Sequence, residues 1–173
     1  MSTNGTMRRS TMVDGSATLN YAGVAAALGG ILGLAGVYLY WFKYSYAASG
    51  GTITLYLGGY EDWTGQVAFI AGIATFAFAV AYILLLDPQI RRLTGALMGI
   101  SAVLLLGASI AGFFRVDTAT ADPVLLGVAV GTSVKVATGA AGGLLVSAVG
   151  GIFAVTGAVL SLTGSDRVAV TRP

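Results

Sequence analysis

The chain has 173 residues, of which 56% are hydrophobic and only 9% charged, with a net charge of +2 and a mean hydropathy of +0.86. Soluble domains carry about 25% charged residues, so water is not the main solvent of this protein. Nine basic residues, scattered singly or in pairs, form no basic stripe, which argues against nucleic acid as a partner; the lack of cysteine and histidine excludes disulfides, thiolate chemistry and histidine as ligand or general base.

Residues 1–20 are polar and too poor in apolar side chains to bury a core; they predict a cytoplasmic tail. The run 22–42, AGVAAALGGILGLAGVYLYWF, carries no charge. At 1.5 Å per residue it reaches about 30 Å, the thickness of a bilayer's hydrocarbon core, and so predicts a first transmembrane helix. Arg8 and Arg9 before it and Ala47, Ala48 and Ser49 after it also suit a cleaved signal peptide. The run exceeds the usual apolar region of such peptides, about 7–15 residues, and ends in aromatics, so a retained anchor is expected. A second span is read over 66–86. The DPQIRR that follows supplies a helix stop, an Asp87 cap and a first-turn Pro88 for the next helix. So short a link makes the second and third spans antiparallel neighbours. The third span is read over 94–114 and the fourth over 139–163, before a polar cytoplasmic tail at 164–173.

Short segments rich in Lys and Arg stay cytoplasmic. Arg8, Arg9, Arg91, Arg92, Arg167 and Arg172 stand on one side against Lys43, Arg115 and Lys135 on the other, which puts both termini inside and the long loops 43–65 and 115–138 outside. In the first loop TITLYL alternates between glycine pairs, a strand pattern. The second loop is β-rich over 124–136, although its run VLLGVAVG also suits a re-entrant segment. That segment, 124–134, is too short to cross and would leave Lys135 near lipid, so a sheet is preferred. The expected fold is an all-α membrane protein: a four-transmembrane-helix antiparallel bundle over 21–163 with a small β-rich extracellular cap.

Glycine, at 26 residues, has about twice its usual share. Much of it recurs at four-residue spacing: Gly29 and Gly33, Gly95 and Gly99, and Gly139, Gly143, Ser147 and Gly151. Small-xxx-small faces let helix backbones approach closely where lipid offers no hydrophobic drive to associate. They serve packing within one chain or assembly with a neighbour. The aromatics Tyr38, Trp41, Tyr44 and Trp63 read as an interfacial belt, with a ligand-contact platform as the sharper alternative.

Transport paths are marked by ionisable residues within the spans, and the cores of these spans contain none. Candidate acids and bases reduce to Glu61, Asp62, Asp117 and Asp122 in the loops, with Lys43 or Arg115. Glu61 and Asp62 precede the second helix and read as caps, and Asp122 before Pro123 reads as a turn. No catalytic residue, metal site or cofactor is predicted.

The order of parts, with a long first outer loop, the tight DPQIRR turn, a second outer loop and the glycine-rich last span GAAGGLLVSAVGGIFAVTGAVLSL, resembles small four-span membrane proteins of claudin-like topology, as in many prokaryotic and notably actinobacterial membrane proteins. The claudin signature of Trp with Gly-Leu-Trp and two cysteines is absent, so the resemblance implies layout and no functional residue. The expectation is a non-enzymatic, multi-pass plasma-membrane protein; a viral envelope would present the same composition. It would act as a structural or accessory subunit, assembling as a homo-oligomer or in a larger complex through its glycine faces and outer loops. The alternative is a module that binds or transports a lipid or small apolar molecule at the outer aromatics.

Overall fold

A computed structural model of the chain describes residues 19–48, 51–116, 136–163 and 167–168. Four helices are long and apolar enough to cross a membrane: α1 (Tyr21–Tyr38), α2 (Trp63–Leu84), α3 (Pro88–Arg115) and α4 (Gly142–Thr163). Between and beyond them lie β1 (Leu19–Asn20), β2 (Tyr40–Ala48), β3 (Gly51–Gly58), a 3-10 turn (Gly59–Glu61), β4 (Val136–Ala140) and β5 (Arg167–Val168). The stretch 124–135, including Lys135, both cytoplasmic-tail readings (all but residues 19–20 and 167–168), Asp117 and Asp122 lie outside the described residues.

Local chemistry sets the helix ends. Asn20 caps α1, its side chain accepting from Gly23 N at 3.0 Å. Asp62 caps α2 through Thr64 N at 3.0 Å. Asp87 caps α3 through Gln89 N at 2.8 Å and Ile90 N at 3.2 Å, with Pro88 in the first turn, as the DPQIRR pattern predicts. These bonds satisfy amides that a helix N-terminus leaves without a partner.

α2 (Trp63–Leu84) is shifted by two to three residues from the 66–86 reading, α3 begins at Pro88 rather than at 94, and two further boundaries are moved by strands. The first helix stops at Tyr38 rather than at 42, because Tyr40 onward pairs as the central strand of a sheet. The fourth starts at Gly142 rather than at 139, because residues 136–140 form a strand in that sheet. Its order is β3-β2-β4, antiparallel throughout, with Tyr44 opposite Leu55 on one side and Thr138 on the other. The helix-period and strand-period readings of an unbroken aromatic run are both apolar, and long-range pairing decided between them. At the opposite end β1 pairs with β5, tying the start of α1 to the segment after α4.

In the packing, α1 lies against α2 and α4, and α3 lies against α2 and α4. The interior is built from small residues, among them Ala22, Ala26, Ala68, Ala79, Ala102 and Ala154, with Val37, Met98, Leu105 and Leu144 as the larger members. Large apolar side chains point the other way: Ile70, Ile100, Val103, Phe114 and Leu162 are each more than 60% exposed. A water-soluble bundle buries such residues and exposes polar ones.

Candidate functional site

The end bearing the three-stranded sheet holds the densest cluster of chemistry-bearing side chains among the described residues. Its centre is Trp41. Along β2 and β3 the pairs run Tyr40 with Gly58 and then Phe42 with Leu57, so Trp41 is the extra residue of a bulge. A bulge re-aims a side chain, and here the indole turns down into the helices. It is fully buried and donates from Nε1 to Gly36 O at 2.9 Å, a carbonyl in the last turn of α1. The space for it is made by glycines: a Cβ on Gly59 would sit 2.5 Å from Nε1, and one on Gly112 would sit 3.1 Å from Cζ3. The Trp41 carbonyl also accepts from Ala141 N at 2.8 Å, which fixes the entry to α4.

Beside it, Asp62 accepts from Arg115 Nη1 at 2.8 Å and from the Thr64 hydroxyl while capping α2. One carboxylate thus joins the start of α2 to the end of α3. The Arg115 guanidinium also lies 5.7 Å from the Trp63 ring centroid. Tyr44, buried on the same sheet, has its phenol pushed above the ordinary range by burial first and by the Asp62 carboxylate second, with Arg115 pulling the other way. Ser45 and Thr54 link β2 and β3 hydroxyl to hydroxyl at 3.2 Å. Among the described residues, no group of three His, Cys, Asp or Glu side chains is placed to hold a metal ion.

Within the helices, α1 and α4 meet backbone to backbone. A Cβ on Gly29 would lie 2.6 Å from Gly150 O. One on Gly36 would lie 2.7 Å from Gly143 O, one on Gly150 2.5 Å from Gly33 N, and one on Gly157 2.5 Å from Ala22 O. The contacting residues repeat every seven positions: Ala22, Gly29 and Gly36 on α1, and Gly143, Gly150 and Gly157 on α4. A seven-residue period is the one that keeps a stripe facing its neighbour in a left-handed crossing. Buried hydroxyls supply the polar links. Thr75 donates to Ser101 Oγ at 3.0 Å, joining α2 to α3, and Ser109 and Ser147 share a hydrogen at 2.9 Å, joining α3 to α4. At the hairpin end the Tyr82 ring lies under the Arg91 guanidinium, 4.4 Å away, and its hydroxyl donates to Ser161 O at 3.4 Å.

No family model matches this chain, and no curated protein matches it. The site is therefore read from its own geometry.

The residues grouped by four-residue spacing are placed as follows. Gly29 packs on Gly150 and Ala154, and Gly143 on Gly36, both in the α1–α4 contact, whereas Gly33 faces Leu105 of α3 and Gly151 faces Leu106. Ser147 bonds to Ser109, and Gly95 lies against Ser161 and Tyr82. Gly99 is nearly open, with only Ala158 Cβ at 3.8 Å from a Cβ built there, and Gly139 sits in β4 opposite Lys43 with open space around it. Of the aromatics, Trp41 and Tyr44 are interior, while Tyr38 and Trp63 are exposed; Tyr38 packs edge-on against Phe69 at 5.8 Å. The residues that sequence reasoning missed are Gly36, Gly150 and Gly157, and the seven-residue spacing was the signal.

Proposed function

We propose that this chain is a non-enzymatic, multi-pass membrane protein: a four-helix antiparallel bundle with both termini cytoplasmic and the three-stranded sheet outside, in the layout of claudin-like four-span proteins. In this reading it is a structural or accessory subunit of the plasma membrane that holds the sheet rigidly above the bilayer as a docking surface for a neighbour. The observation that carries it is the joint at Trp41. The indole fastens the central strand to α1, and the Asp62–Arg115 pair beside it fastens α2 to α3, which is what a platform requires.

The apolar exterior of the four helices and the small-residue interior support membrane insertion, because lipid is the solvent that tolerates this inversion. The glycine stripes of α1 and α4 lie against each other, so the surface offered to a partner in this reading is the outer sheet with its loops. Trp41 is turned inward, so the platform reading of the aromatic cluster as a ligand-contact surface is not adopted.

The test is purification in mild detergent at native expression level, with the particle mass measured and co-purifying proteins identified by mass spectrometry. A stoichiometric partner or a defined homo-oligomer is expected, lost when Tyr56 or Thr54 on β3 is replaced by aspartate. A monodisperse monomer with no partner overturns the subunit reading.

A further inference from the structure

Between α3 and α4, on the half nearer the Asp87 turn, lies an apolar groove of about 490 Å³ lined by Ala96, Gly99, Val103 and Leu104 of α3 and by Val155 and Val159 of α4. Its volume falls in the range of small-molecule sites, about 300–1,000 Å³. Smallness makes the groove: a Cβ on Gly99 would meet only Ala158 Cβ at 3.8 Å. From Ala96 to Leu104 the lining runs about 12 Å along the helix axis, close to the ~15 Å depth of one leaflet.

One turn before this groove along α3 stands a positive charge. Arg92 precedes Ala96 by one helical turn on the same face of α3 and is exposed. Its neighbour Arg91 is turned toward α2 and lies 4.4 Å over the Tyr82 ring. Asp87 is engaged with the first amides of α3, so among the described side chains at this edge the Arg92 guanidinium is the one offered to an anion.

We infer that an anionic phospholipid of the cytoplasmic leaflet docks here, with one acyl chain in the groove and its phosphate on Arg92. Basic residues beside interhelical grooves on the cytoplasmic side recruit anionic headgroups. An arginine presents paired N–H donors to phosphate oxygens. A parallel second copy seated on this face would bring its own Arg92 to the same depth, setting like charge against like. The inference rests on the membrane reading above.

The full chain is reconstituted in nanodiscs of equimolar phosphatidylglycerol and phosphatidylcholine, and the lipid retained through detergent exchange is counted by native mass spectrometry. Phosphatidylglycerol is expected to be retained about fivefold over phosphatidylcholine, the preference one basic residue supplies near an anionic headgroup. Arg92→Gln and Gly99→Leu should each remove it, and Arg91→Gln should leave it. Equal retention of the two lipids, or unchanged preference in Gly99→Leu, overturns the proposal. So does a dimer that carries no lipid and dissociates in Gly99→Leu. A chain recovered outside the nanodiscs would instead refute the membrane reading itself.

Discussion

Trp41 shows how much one side chain can decide. It fills space between the sheet, α1, α3 and the 3-10 turn, and its one polar atom finds a carbonyl in the last turn of α1. Truncation to alanine empties a fully buried aromatic site and should cost about 3–5 kcal/mol. Trp41→Phe removes chiefly the hydrogen bond, about 0.5–1.5 kcal/mol. Trp63→Ala, at an exposed position, should stay within about 1 kcal/mol. Unfolding in mixed micelles by added denaturing detergent measures all three. Tyr44 carries a pH signature. Its phenol is raised, so the folded state holds a proton that the unfolded chain releases. That contribution is fully present below the ordinary tyrosine value near 10 and is lost as pH rises through the folded value. The melting temperature should therefore decline above about pH 10, and Tyr44→Phe should flatten that decline.

At the scale of elements, the α1–α4 contact depends on the absence of side chains. A methyl group at Gly150 meets backbone of α1 at 2.5 Å, and backbone cannot rotate away as a side-chain tip can. Gly150→Ala should push the helices apart at a cost of about 1–3 kcal/mol. Gly107→Ala in α3 meets nothing within 4 Å and should be neutral or stabilising by up to about 1 kcal/mol, the helix-propensity gain over glycine. The same micelle unfolding experiment separates them; equal effects would mean that α1 and α4 do not pack in this way. The hydroxyl pairs Thr75–Ser101 and Ser109–Ser147 contribute less, on the order of 0.6 kcal/mol each. Their value lies in register, because each pair meets at only one axial offset of its two helices.

For the whole molecule, the prediction concerns sidedness. The native chain has no cysteine, so single substitutions report position without background. Lys43→Cys and Glu61→Cys should react with a membrane-impermeant maleimide on intact cells, and Gln89→Cys only after permeabilisation. Labelling in the reverse pattern would invert the proposed orientation and move the Arg92 groove to the outer leaflet.

Four long apolar runs, the Asp87–Pro88 hairpin and the Asp62 cap are legible in the sequence, because each depends on neighbours in the chain: hydropathy over about 20 residues, or a side chain reaching amides two or three positions on. The strand at Tyr40–Ala48, the inward turn of Trp41, the choice of seven-residue over four-residue glycine spacing, and the pairing of Ser109 with Ser147 were decided only by tertiary structure. In an apolar helix nearly every face is acceptable to lipid, so the pattern of hydrophobicity does not say which face meets a neighbour; backbone clearance and hydrogen bonds between distant residues do.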